Sequence, residues 1–427
     1  KTIAQLAIDF AAAMNCQRYS QYEEIDIRPG NAWRVLRDSL LWREIFSMPQ
    51  VPPQVLPSLR EAINALITPH EKALFDWQID VAFDEIERLL ARSVDRKLTT
   101  HTRQNAAREF PNLWKIGIGE NGKVNSGYTI PTNGGVRNQS AFIFFAHDKD
   151  SVLTLPSPLL REAFCQAIFG QIWGKLKSSR ASEVVGKIFE RSLERACQGK
   201  SGRIHAGAKY NVGKQTFEID VATRDADRIV LFETKAKSLT AKARSGDMMA
   251  FYSDYTDSYL AIVHQLVRHE DNLRQGLTPL TTASEACQDL RPLKVAVSPL
   301  SYGPVSDKLL ASGLLRSFAN IKLHPVVSDA AARKMTDKFN EAVRDIFTLV
   351  PKLAPKNKDD LIDLFAYFID VFWLDLGQAL YVLDRANTVV DAFTPLQFVT
   401  FTTRDFWTEL AYADAQGVTK TRWHPLP

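Results

Sequence analysis

Phe217-Glu-Ile-Asp220, followed by Leu231-Phe-Glu233-Thr-Lys235, is the stretch on which the reading of this chain turns. In the first segment Phe217, Ile219 and Val221 alternate with Glu218 and Asp220, the period of a strand with two faces, so both acids are expected on one side. In the second, Glu233 and Lys235 share one face while Val230, Phe232 and Thr234 share the other. The link Arg224-Asp-Ala-Asp-Arg228 is rich in turn-forming Asp. A hairpin centred on Ala226–Asp227 sets Asp220 across from Glu233, where opposed residues project from the same side of the sheet. Two carboxylates so placed repel unless a cation lies between them. The expectation is a metal site with a lysine beside it.

Asp220 together with Glu233-Thr-Lys235 resembles the PD-(D/E)xK nuclease superfamily, whose signature is an acid on one strand and Glu/Asp-x-Lys on the next. The resemblance covers Ser182 to Ser328. It implies a restriction-endonuclease-like α/β core, a central mixed sheet flanked by helices. It also implies a further acid on the preceding helix, which puts Glu190 of Gly186-Lys-Ile-Phe-Glu190 in that role. Mg²⁺, for which Mn²⁺ is expected to substitute, takes oxygens from a few carboxylates, water and substrate phosphate. On this pattern Asp220, Glu233, the carbonyl of Thr234 and Glu190 hold the ion, and the ion acidifies its water and neutralises charge on the phosphodiester. Lys235 orients that water or stabilises the transition state. The catalytic set is then Asp220, Glu233, Lys235 and Glu190.

A solvated strand edge uses the same residue types. Against that reading, Ile229 to Phe232 is continuously apolar, as in a strand covered on both faces, and acids ending such a strand call for a reason. Glu190 has a strong alternative on a wet helix face, where Glu183, Lys187, Arg191 and Glu194 offer i,i+3 and i,i+4 partners. After the motif come Lys237, Lys242 and Arg244, with no acid before Asp247, a run suited to a phosphate backbone; solvated loops carry such runs too. Gln265 lies where RecB-like members of the superfamily place a glutamine, but their Gln-x-x-x-Tyr ends here in His269, a departure from that subgroup. His264 and His269 are not spaced as paired helical zinc ligands.

With 427 residues, 45% hydrophobic and 24% charged, the chain has the composition of a globular protein with room for two or three domains. A net charge of +4 permits nucleic-acid binding through a local patch without demanding it. Cys16, Cys165, Cys197 and Cys287 are scattered, which indicates neither a zinc ribbon nor a disulfide framework and fits a reducing cytoplasm. The first apolar run is broken by Gln5 and Asp9, so no signal peptide is expected. Leu361 to Leu383 is apolar, but Asp363, Asp370 and Asp375 interrupt it, so a buried core helix is expected and no membrane span.

Three regions are expected. Residues 1–155 form an N-terminal α+β domain for substrate or partner recognition, with helices over Ala4–Met14, Ala32–Phe46 and Pro69–Val94, strands over Leu113–Ile118 and Ser140–Ala146, and a hairpin turn at Asn121-Gly122. Residues 156–328 form the nuclease-like core: helix through Cys197, strands Arg203–Tyr210, Gln215–Thr223 and Arg228–Ala236, helix Asp254–Leu273, then strands Leu293–Val297 and Ile321–Val327. Residues 329–427 form a mainly helical region. Gln50-Val-Pro-Pro-Gln and Pro351–Lys358 read as linkers. Phe365, Phe368, Phe372 and Trp373 read as core and not as a base-stacking platform.

The expected function is a Mg²⁺-dependent deoxyribonuclease, with DNA preferred over RNA only on the habit of the family. The partners are then DNA and, through either flanking domain, another protein; a homodimer is compatible. The alternatives are an RNA nuclease, a silent nucleic-acid-binding or scaffold protein retaining the fold, and another hydrolase or transferase on the same site.

Overall fold

In a computed structural model, the structure describes residues 50–93, 97–120, 123–128, 138–225, 228–237, 239–280, 290–299, 302–325, 329–398, 405–420 and 422–423, with scattered positions between 2 and 41. The chain divides into two compact units, one formed by Met48–Arg195 and the other by Lys1–Ser47 together with Ala196–Pro427. The expected division at 155 and 328 is not where the chain separates. The predicted helices Ala4–Met14 and Ala32–Phe46 lie largely outside the described residues, as do the Asn121-Gly122 turn and the residues at the Ala226–Asp227 turn.

In the Met48–Arg195 unit, helices α1 (Val55–Leu66) and α2 (Ile79–Arg92) present apolar faces at helical spacing, with Ile79, Ala82, Phe83, Ile86 and Leu89 buried along α2. The helix expected over Pro69–Val94 is interrupted: a single turn, Pro69–Lys72, ends before α2 begins. Strands β1 (Thr99–Thr102), β2 (Ile118–Gly119), β3 (Phe144–Ala146) and β4 (Ser151–Thr154) form a sheet ordered β1-β4-β3-β2. Leu113–Ile118, expected as a strand, is mostly helix α3 (Pro111–Gly117). The cause is local. Pro111 suits a first helical turn, and buried Glu85 of α2 accepts from the amides of Asn112 and Leu113, both at 2.9 Å, and from Asn112 Nδ2 at 2.7 Å. A carboxylate satisfying the orphan amides of a helix start favours helix over strand. Helices α4 (Ser157–Lys175) and α5 (Ser178–Cys197) follow.

The larger unit is built on a five-stranded mixed sheet ordered β5 (Arg203–Val212), β6 (Gln215–Asp225), β7 (Arg228–Thr234), β8 (Leu293–Ser298) and β9 (Val371–Asp375). β5, β6 and β7 form an antiparallel meander; β8 and β9 then add parallel to β7. A parallel neighbour needs a crossover. Helices α6 (Met248–Tyr255) and α7 (Ala261–Arg274), joined by a π-helical turn at Thr256–Leu260, supply the first; α8 (Lys308–Phe318) and α9 (Ala330–Leu353) lie between β8 and β9. Ile262, Val263, Leu266 and Val267 of α7 share one core with Ala222, Ile229, Leu231 and Ala296 of the sheet. Each such aliphatic burial contributes about 1.5–3 kcal/mol. No described helix is long and apolar enough to cross a membrane.

The fifth strand corrects two expectations. Ile321–Val327 was expected to supply it, but Ile321–Pro325 has no regular structure, and the rest of that stretch lies outside the described residues. The strand comes from Leu361–Leu383, which is not one buried helix but α10 (Leu364–Phe368), then β9, then α11 (Leu376–Arg385). The aspartates that excluded a membrane span mark the joints. Asp363 caps α10 by accepting from Ala366 N at 2.9 Å. Asp375 caps α11 in a reciprocal box with Gln378. Between them Lys308 Nζ donates to the carbonyls of Ile369 and Val371, both at 2.6 Å, where the helix gives way to the strand. Phe368, Phe372 and Trp373 are core as expected, whereas Phe365 is 54% exposed.

Candidate functional site

The ladder between β6 and β7 runs from Asp225↔Arg228 to Val221↔Phe232, and one further step in that register reaches Asp220 and Glu233. Asp220 N stands 3.5 Å from Glu233 Oε1. The two acids therefore meet at the end of the paired strands as the hairpin reading requires. Their carboxylates do not face each other as expected. Asp220 Oδ2 accepts from Thr234 N at 2.7 Å and from Thr234 Oγ1 at 2.9 Å, while Glu233 turns toward α7. The reason lies in the strand. Ile219 and Ala222 both belong to the core beneath α7, so strict alternation fails across Asp220–Val221. Opposite Asp220, the β5 ladder passes from Ala206↔Val221 to Ala208↔Ile219 around Gly207, which has φ +58°. A glycine in the left-handed region permits such an irregularity in a strand.

Glu233 is 1% exposed and has His269 of α7 beside it, Nε2 standing 3.0 Å from Oε1. The approach is short of a hydrogen bond's alignment. His269 Nδ1 is 2.6 Å from the hydroxyl of Tyr210 on β5, and Asn272 Nδ2 donates to that same hydroxyl oxygen at 3.0 Å. Burial pushes the His269 imidazole down to about 4, the nearby Arg268 charge acts in the same sense, and the backbone of Glu218 opposes both. At neutral pH the ring is uncharged. Tyr210 is raised above its ordinary value, first by burial. His269, Tyr210 and Asn272 are the residues that sequence reading missed. The signal was present: His269 closes the Gln265-x-x-x-His269 spacing, and residues four apart share a helix face.

Lys235 continues the β7–β8 ladder, its amide donating to Val297 O at 3.1 Å, and its side chain is half-buried. Gln265 is half-buried one helical turn before His269. Glu190 belongs to the other unit, where its Oε2 accepts from Lys187 Nζ at 2.5 Å.

The basic run after the motif divides. Lys237 Nζ lies 2.8 Å from Asp257 Oδ2 and 3.2 Å from Asp254 Oδ1, with Lys338 on the other oxygen of Asp257. Asp254 Oδ2 also accepts from Thr240 N and Oγ1, each at 2.8 Å. Burial acts to lower Lys237, but Asp257 and Asp254 hold it above its ordinary value. Its charge pins the loop to α6, a geometry unlike that of a cation held out for phosphate. Lys242 is 75% exposed, 3.1 Å from Asp247, and Arg244 ends the short helix Ala241–Arg244.

No family model, no curated protein and no solved structure matches this chain. Among the described residues there is no group of three or more His, Cys, Asp or Glu side chains disposed to hold a metal ion. The donors that do converge, two carboxylates and a backbone carbonyl, fit Mg²⁺ in kind, since that ion is commonly held by one or two carboxylates with water and substrate phosphate completing its shell.

Proposed function

We propose that the chain is a metal-dependent nuclease of the restriction-endonuclease-like kind, acting on phosphodiester bonds of DNA. The observation that carries the reading is the meeting of Asp220 and Glu233 at the end of β6 and β7, with Lys235 two residues on. Strand order supports it too: an antiparallel three-strand meander followed through a helix by a parallel strand is the α-β-β-β-α-β arrangement the sequence motif implies. Asp220, Glu233 and the Thr234 carbonyl would hold Mg²⁺ or Mn²⁺. When bound, the ion supplies an acidified water and charge neutralisation at the phosphate. Asp220 is oriented by Thr234 and Glu233 by the α7 face, so the chain's own part is to fix two oxygen donors at one sheet end. Lys235 contributes a compact positive charge at the scissile group. Glu190 would complete the shell from the preceding helix.

A second reading, a silent nucleic-acid-binding or scaffold protein on the same fold, is favoured by one observation: Glu233 is buried to 1% exposure and Asp220 already accepts two protein donors. Cleavage of supercoiled plasmid separates them. The nuclease reading expects nicking or linearisation that requires Mg²⁺ or Mn²⁺ and is lost in Asp220→Ala. Failure of the wild type to cut DNA or RNA with either ion selects the second reading.

A further inference from the structure

We infer that His269 is a positioning residue for Glu233, held in one tautomer by Tyr210 and Asn272. The inference rests on the metal-site reading above and assigns a part of that site which the sequence motif does not contain.

The direction of the proton in the chain follows from its ends. Asn272 Nδ2 can only donate, and it donates to the Tyr210 oxygen at 3.0 Å. The Tyr210 hydroxyl proton is then directed to His269 Nδ1, 2.6 Å away. A neutral imidazole that accepts at Nδ1 carries its proton on Nε2. Nε2 is the atom that stands 3.0 Å from Glu233 Oε1. Three side chains on β5 and α7 thus present a single N–H to the carboxylate of β7.

Burial makes this assignment consequential. Tyr210 is 7% exposed, Asn272 6%, and His269 and Glu233 1% each, so a reversed tautomer would bring a lone pair against a buried carboxylate. The donor that meets Glu233 is uncharged. A neutral N–H orients the carboxylate without cancelling the charge that a divalent ion would need, which a lysine or arginine in its place would do. Imperfect alignment of Nε2 is the ordinary condition of such contacts before ligand arrives, and they tighten in the complex. Hydrogen bonds behind a metal ligand fix its rotamer, and their loss typically costs roughly 10–100-fold in metal affinity.

The test is Mn²⁺ titration of the full chain by calorimetry, with circular dichroism to establish that each variant is folded. His269→Leu removes the donor, His269→Gln keeps a neutral N–H at similar reach, and Tyr210→Phe removes the group that sets the tautomer. The expected result is Mn²⁺ affinity reduced roughly 10–100-fold in His269→Leu, restored to near wild type in His269→Gln, and intermediate in Tyr210→Phe. Rescue by glutamine is the outcome that a packing role would not give. Wild-type affinity in His269→Leu, or equal loss in the leucine and glutamine variants, overturns the inference while leaving the metal site standing. If His269→Leu does not fold, Tyr210→Phe decides: weakened binding supports the inference and unchanged binding overturns it. A wild type that takes up no Mn²⁺ removes the metal-site reading and this inference with it.

Discussion

His269 and Glu270 are neighbours on α7, yet they belong to two buried charge arrangements of opposite kind. Glu270 is surrounded by donors: Lys294 Nζ at 2.7 Å and the Tyr367 hydroxyl at 2.8 Å on Oε2, and Arg274 at 2.5 Å on Oε1. Glu270 is 0% exposed and Lys294 1%. Such a closed, charge-balanced set ties α7 to β8 and α10 and offers nothing to a ligand. Glu233, as deeply buried, meets the neutral ring of His269 and the Asp220 amide. One acid is matched by cations of the chain itself; the other faces neutral donors that orient it. The contrast teaches that burial alone does not separate a structural carboxylate from a functional one. The charge of the donors does.

The comparison breaks first at Lys294. Removing one partner of a buried ion pair strands the other charge, so Lys294→Met should lower the unfolding free energy by about 3–5 kcal/mol, read from denaturant melts. A loss below about 1 kcal/mol would mean that Glu270 is not held as described.

The second contrast is in acid. The folded chain holds His269 at about 4, against 6.5 ordinarily, so the unfolded chain binds the proton more readily. The stability tied to a neutral ring is complete above pH 6.5 and is lost as pH falls from 6.5 through 4. By pH 4 the loss is on the order of 3 kcal/mol relative to His269→Gln, which has no such proton to take up. Parallel melts of the two proteins between pH 7 and 4 that never diverge would contradict a neutral His269.

Smaller effects sharpen the division within the basic run. Lys237→Met should cost about 1 kcal/mol because two aspartates depend on it, whereas Lys242→Ala, an exposed pair, should cost under about 0.5. Duplex binding, on the proposed function, should respond the other way round. Neutralising Lys242 and Arg244 should flatten the slope of log K against log salt by roughly 0.9 per lost phosphate contact, and Lys237→Met should leave it nearly unchanged. A salt titration showing the largest change at Lys237 would return that residue to the candidate nucleic-acid surface.

Much of the sheet was legible because the signals were local. Alternation and the Asp-rich turn gave β6 and β7 and their register, and the apolar run gave β7 its covered faces. What escaped depended on contacts distant in sequence. Pro111–Gly117 is helical because Glu85 reaches its first amides, and Leu361–Leu383 breaks because Lys308 gathers carbonyls at the α10–β9 joint. The orientation of Asp220 was hidden for a related reason: it turns on Gly207, a residue of the neighbouring strand whose left-handed backbone no period-two pattern reveals. His269 could be seen as a departure from a motif but not as a neighbour of Glu233, since α7 and β7 meet only in the folded chain.

The central claim, that Glu233 is a buried acid kept for a metal ion, is tested most directly by Glu233→Gln. The substitution keeps shape and hydrogen-bonding capacity while removing the charge. Mn²⁺ uptake and plasmid cleavage should both vanish while the unfolding free energy stays equal to wild type or rises, since a buried charge has been removed. Retained metal-dependent cleavage, or a large loss of stability with the chemistry intact, would make Glu233 a structural residue like Glu270 and contradict the account.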